Sequence, residues 1–143
     1  MKYYLASRFG RQAEMIAVAQ RLRAIGHDVT SRWLDVDRAS QPTDPDDRSK
    51  ALAKQADMNE TDLLLADIVV SFTDGLTGLT GLVGKGGRHV EFGFALARNK
   101  VVIIIGPREN VFHYHPRVIL LTDADALIDD AGKRATEAQR RRP

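Results

Sequence analysis

The chain has 143 residues, 43% of them hydrophobic and 28% charged, which is enough apolar material for one compact core. It contains no cysteine, so disulfides, thiolate catalysis, zinc–thiolate centres and iron–sulfur clusters are excluded, and the chemistry must come from oxygen, nitrogen and backbone groups. The net charge of +2 is modest and gathers in Lys133, Arg134, Arg140, Arg141 and Arg142, which face only Glu137. Residues 1–132 are therefore read as one domain and 133–143 as a basic, flexible tail, with nucleic acid not expected as a partner. No apolar run approaches ~18 residues and no basic stretch precedes an apolar one at the N-terminus, so a cytoplasmic protein without membrane contact is expected.

Lys2 to Ala6 reads as a short buried strand, and Gly10 to Ile25 as a helix whose apolar stripe is Ala13, Ile16, Ala17, Ala19, Leu22 and Ile25, stopped by Gly26. Asp28 to Trp33 is expected to form a second strand, followed by a polar loop from Asp35 to Asp46 that is a candidate lid. A helix from about Asp47 to Leu65 leads into Ile68 to Phe72, an unbroken apolar run of the kind buried on both faces of a parallel sheet. Thr73 to Gly87 is glycine-rich and hands over to a helix from about Arg88 to Arg98. Lys100 to Ile105 and Val118 to Leu121 are further strands, and a last helix begins near Asp123. This alternation predicts an α/β fold, a flavodoxin- or Rossmann-like doubly wound parallel sheet of about five strands in a three-layer sandwich. Ligands of such sheets bind outside the carboxyl ends of the strands, so the loops after Ala6, Trp33, Phe72 and Ile105 are expected to build the site.

Glu91 lies in the opening turns of the helix that follows the glycine-rich loop, where the helix dipole favours an ionised carboxylate. A carboxylate so held is suited to attack an anomeric carbon through an oxocarbenium-like transition state; equally, it is suited to serve only the dipole. Gly86, Gly87, Lys85 and Arg88 beside this helix start make a plausible phosphate cradle, to which Ser7 and Arg8, with Arg11, can add contacts from the first strand-to-helix turn. Trp33 is a candidate for stacking on a base, whereas Phe72 is expected in the core. Asn110 and His113 return to the ligand edge after the strand ending at Ile105. His113 and His115 with Glu109 are weak evidence for a metal, and neither metal nor cofactor is expected.

Several separated segments resemble the nucleoside 2-deoxyribosyltransferase family and its nucleotide N-glycosidase relatives. They are Tyr3-Tyr4-Leu5-Ala6-Ser7 with Arg8 and Arg11, Gly26 to Trp33, Ala66 to Val70, and Glu91-Phe92-Gly93-Phe94-Ala95 followed by Lys100 and its strand. The resemblance implies a Glu91 nucleophile, with Tyr4 among the substrate-binding residues, a small nucleoside or nucleotide substrate, and a homodimer or larger homo-oligomer in which Asn110 and His113 can reach a neighbouring site. It also implies an acidic residue on the helix before the central strand. Asn59 stands there, with Asp57 and Asp62 close by, and Asp62 is the preferred acid. Transferases of the family place an acid a few positions before the nucleophile, but no carboxylate stands between Asp74 and Glu91. Hydrolysis of a (deoxy)nucleoside 5′-monophosphate through a covalent glycosyl-Glu91 intermediate is the expectation, with base exchange and non-catalytic nucleotide sensing as alternatives.

Overall fold

The computed structural model describes residues 1–37, 39–74 and 86–140. In chain order these form β1 (Lys2–Ala6), a 3₁₀ turn at Phe9–Arg11, α1 (Gln12–Ala24), β2 (Asp28–Val29), a 3₁₀ turn at Arg32–Asp35 and α2 (Pro45–Leu65). There follow β3 (Ile68–Phe72), α3 (Gly87–Ala97), β4 (Val101–Ile105), a 3₁₀ turn at Val111–Tyr114, β5 (Val118–Leu121) and α4 (Ala124–Arg140). All pairings in the five-stranded sheet are parallel, in the order β2-β1-β3-β4-β5. α1 packs beside α4 and α2 beside α3, so the expected α/β three-layer arrangement is the observed one.

The three inner strands are buried along almost their whole length, as their continuous apolar runs require of strands covered on both faces. Side chains alternate across β1, so Tyr3 and Tyr4, both fully buried, enter opposite layers. The order of strand addition reverses between the parallel neighbours β1 and β3, so the connections leaving their carboxyl ends lead to opposite sides, which opens the crevice that the fold uses for ligands.

Three expectations are corrected. The buried stripe of α1 is Met15, Val18, Ala19 and Leu22, while Ile16 and Ile25 are exposed. Two stripes one residue apart share Ala19 and Leu22, and the larger Met15 and Val18 outweigh Ala13 and Ala17 in filling the core. β2 ends at Val29 instead of Trp33, because side chains take over from the backbone ladder. Ser31 Oγ accepts from Leu5 N at 2.7 Å and the Trp33 indole donates to Leu5 O at 2.8 Å. Finally, the basic segment read as a tail is, as far as Arg140, the end of α4, where Arg134 pairs with Asp130 one turn earlier at 2.6 Å.

α2 starts where Asp44 accepts from the amides of Asp46 and Asp47, with Pro45 in its first turn. It ends where Lys100 Nζ donates to the carbonyls of Leu64 and Ala66, a cation at the negative pole of the helix. No helix among the described residues is long and apolar enough to cross a membrane.

The carboxyl ends of β3 and β4 are tied together by Thr73, whose amide donates to Ile105 O at 2.9 Å and whose hydroxyl donates to Pro107 O at 2.7 Å. Gly106 makes this possible: its φ is +108°, and a Cβ there would stand 2.6 Å from Thr73 Oγ1 and 2.7 Å from Thr73 O. Gly106→Ala is expected to cost roughly 2–4 kcal/mol, combining left-handed strain with a backbone clash. Urea denaturation should show the midpoint falling accordingly; an unchanged midpoint would mean that this junction is not tightly packed.

Candidate active site

Gly86, with φ +80°, turns the chain into α3, and Phe92, Ala95 and Leu96 seat the helix on the core. That seating carries Glu91, half-buried, to the crevice face of β1. The Tyr4 hydroxyl, fully buried, donates to Glu91 Oε1 at 2.6 Å. The helix dipole does not decide the state of this carboxylate. Burial raises its pKa from 4.5 to about 7, against the lowering effect of the Tyr4 hydrogen bond. Burial and the adjacent Glu91 charge raise Tyr4 well above the ordinary phenol range, so Tyr4 keeps its proton and remains the donor.

The expected cradle arginines are largely engaged with carboxylates. Arg88 is buried and grips Glu109 through both carboxylate oxygens, at 2.8 and 2.9 Å, with Asp74 at 3.7 Å. Glu109 sits below its ordinary pKa: burial pushes it up, but the hydrogen bonds from Arg88 and the Asp74 backbone, with the charges of Arg88 and His89, together outweigh it. Arg8 Nε pairs with Asp74 Oδ2 at 3.1 Å, and Arg11 reaches Asp74 Oδ1 at 3.1 Å while holding Glu14. Ser7 Oγ is buried without a hydrogen-bond partner among the described residues. Gly86 and Gly87 open α3 as expected, and Lys85 lies outside the described residues.

The acid candidates divide. Asp62 is buried, but Arg32 takes both of its oxygens, the backbone N–H at 2.9 Å and Nε at 2.7 Å. Each oxygen thus carries one bond from Arg32, and in these contacts Asp62 ties α2 to the segment after β2. Asp57 is exposed. Asn59 is half-buried and its Oδ1 has no partner among the described residues.

The remaining candidates are structural in their present contacts. Trp33 is buried, its N–H already given to Leu5 O and its ring set against Phe9 at 6.1 Å, so it offers no free face for stacking. Asn110 caps the turn at Val111–Tyr114 by accepting from Phe112 N at 2.9 Å, and its amide nitrogen lies 3.1 Å from His113 Nε2. His113 is fully buried, packs on Phe92 at 4.7 Å, and burial lowers its pKa. A groove of about 610 Å³ beside α3 is lined by His89, Val90, Gly93, Asn110, Phe112 and Arg117 among others, but not by Glu91 or Tyr4. Among the described residues no group of His, Asp or Glu is placed to hold a metal ion.

Two contributors escaped the sequence reading. Asp74 and Arg32 form their pairs across 63 and 30 residues, and no local spacing signals such contacts. The wealth of arginines and acids near the predicted carboxyl-end loops was the only hint.

Fold and site together define a doubly wound α/β protein with a buried carboxylate at its switch point. No protein-family model matches the chain, and no curated protein matches it in sequence. Solved structures do. A CMP N-glycosidase of Clostridium botulinum, BcmB, superposes with a TM-score of 0.56 at 15% identity, over 91% of this chain and 97% of that one. A 2-deoxyribosyltransferase of Bacillus psychrosaccharolyticus superposes with a TM-score of 0.59 at 20% identity, over 90% and 91%. The chain thus has the fold of these two enzymes over nearly its whole length.

The raised pKa of Glu91 has a consequence for stability. The unfolded chain releases this proton near pH 4.5, whereas the folded protein holds it until about pH 7. The contribution is therefore full below pH 4.5 and lost as pH rises to 7. Glu91→Gln removes the loss, so the variant should be about as stable as the parent at pH 4.5 and more stable, by on the order of 2–3 kcal/mol, at pH 8. Denaturation at the two pH values measures this; a pH-independent difference would place Glu91 in a solvated environment.

Proposed function

We propose that this protein hydrolyses the N-glycosidic bond of a nucleoside 5′-monophosphate, with Glu91 as the nucleophile. The observation that carries this reading is the 2.6 Å hydrogen bond from Tyr4 to Glu91 at the sheet's switch point: a carboxylate poised near neutrality, oriented by a fixed donor. In its ionised form Glu91 attacks the anomeric carbon as the bond to the base breaks, and the base leaves with the bonding electrons and takes a proton from solvent. Water then attacks the anomeric carbon of the sugar ester and gives up a proton to solvent, the bond to Glu91 breaks, and Glu91 departs as carboxylate. Tyr4 steadies the charge of Glu91 before attack and again as it leaves. The unpartnered Ser7 Oγ and Asn59 Oδ1 support a polar ligand in this crevice, and the fold shared with a CMP N-glycosidase and a 2-deoxyribosyltransferase supports the bond class.

One observation favours a second reading, a nucleotide-binding protein without turnover. Asn59 stands where the family acid is expected, and Asp62 is tied to Arg32. Incubation with ribo- and deoxyribonucleosides and their 5′-monophosphates, with and without an acceptor base, separates the readings by chromatography of free base. Release from a monophosphate without acceptor, abolished by Glu91→Ala, is the expected result. Release only with an acceptor would mean base exchange, and binding without release would mean a sensor. Activity should rise with pH on an acid limb near pH 7, and Tyr4→Phe should move that limb upward by about one unit, because it removes the bond that lowers the Glu91 pKa.

A homo-oligomer belongs to the same reading. Val90, Val111, Phe112 and Tyr114 are exposed apolar residues near the groove beside α3, a patch of a kind that marks interfaces. Sedimentation should give a dimer or larger, and Phe112→Glu should shift it to monomer; a monomeric parent would remove this element of the reading.

A further inference from the structure

Three arginines converge on a single carboxylate at the carboxyl end of β3. Arg8 Nε meets Asp74 Oδ2 at 3.1 Å, Arg11 Nη1 meets Oδ1 at 3.1 Å, and Arg88 Nη1 lies 3.7 Å from Oδ2. Two of the three are fixed from elsewhere. Arg88 is buried and bound to Glu109. Arg11 is held by Glu14 through Nε and Nη2, both at 2.7 Å, and its guanidinium lies 5.5 Å from the centre of the Phe72 ring. Arg8, by contrast, is 40% exposed, and Asp74 24%.

The backbone of Asp74 is pinned as well, its N–H donated to Glu109 Oε1 at 3.1 Å, so its carboxylate can leave the fork by side-chain rotation. Ser7, next in sequence to Arg8, has its Oγ buried without a partner among the described residues. The arrangement is a set of guanidinium donors, preformed and aimed at one anion, with a carboxylate in place. A phosphate dianion has twice the charge of Asp74 and three oxygens to offer, and guanidinium groups bind it in the same forked geometry. Partly exposed pairs such as Arg8–Asp74 are weak and readily exchanged.

We infer that Asp74 is an internal competitor for the substrate's phosphate: its carboxylate fills the Arg8–Arg11 fork in the resting protein and yields it to the 5′-phosphate on binding. This rests on the nucleotide reading above and adds a specificity-determining residue to it. A nucleoside without phosphate leaves Asp74 in the fork, whereas a monophosphate must displace it, so Asp74 sets how much the phosphate adds to affinity and restores the fork when a sugar phosphate departs.

Calorimetric titration of the full chain with inorganic phosphate, and separately with ribose 5-phosphate, tests this without requiring turnover. Asp74→Asn should bind both at least tenfold more tightly than the parent, and Arg8→Gln, at an exposed position that leaves the core intact, should weaken binding by a similar factor. If Asp74→Asn binds no more tightly, or Arg8→Gln has no effect, the inference fails. Should Asp74→Asn not fold, Arg8→Gln decides alone. Base release with no effect of either substitution on phosphate binding would keep the glycosidase and overturn Asp74 as competitor; the expected phosphate response without base release would do the reverse.

Discussion

The hydrogen bond between Tyr4 and Glu91 imposes the constraint on which the rest of the site depends, because it asks a charged group to sit where water is scarce. Tyr4 can reach Glu91 only if β1 lies inside the sheet and α3 packs on the face that Tyr4 enters, and both conditions follow from the core. Tyr4 is covered because β1 lies between β2 and β3, and α3 is seated because Phe92, Ala95 and Leu96 bury its sheet-facing side. The resulting desolvation outweighs both the helix dipole and the tyrosine donor, and the balance falls at about pH 7. A carboxylate on the same helix but facing solvent would stay ionised throughout and would have no such adjustable state.

The ion pairs around the crevice divide by how firmly each partner is held. Arg88 with Glu109 and Arg32 with Asp62 each include a buried group gripped by more than one hydrogen bond, and removing one partner of such a pair leaves the other charge uncompensated. They serve as joints, the first between α3 and the segment after β4, the second between α2 and the segment after β2. Arg8 with Asp74 is nearer the solvent and is more weakly held. The firmly held pairs thus flank a pair that lies closer to solvent.

Most of the fold was legible because its signals are local. β3 and β5 fall on the expected residues and β4 begins one residue late, since a run such as Ile68 to Phe72 or Val101 to Ile105 has few ways to be buried other than in a central parallel strand. The errors arise where two local patterns are equally regular, as with the stripes of α1, or where side chains replace a backbone ladder, as Ser31 and Trp33 do at Leu5. Glu91 was visible from its place after a glycine-rich loop, but the rise in its pKa was not, because the dipole is a property of the helix alone whereas desolvation depends on what the fold packs around it. Asp62 was the preferred acid in the sequence, but its partner Arg32 lies on another element, and only the folded chain reveals that the carboxylate is paired with it.

The same nonlocality explains where the protein tolerates poor solvation. Tyr3 Oη, Ser7 Oγ, Asn59 Oδ1 and Ser71 Oγ are buried without partners among the described residues, and each such group costs on the order of 1–3 kcal/mol unless water or a ligand satisfies it. Ser7 and Ser71 lie just beyond β1 and near the end of β3, the two strands that flank the switch point, while the residues that fill the interior of those strands are almost wholly apolar and fully buried. The apolar burial of the inner strands therefore supplies the stability that offsets these unsatisfied polar atoms, Tyr3 within β1 and the two serines toward the strand ends among them, and a protonatable carboxylate beside β1.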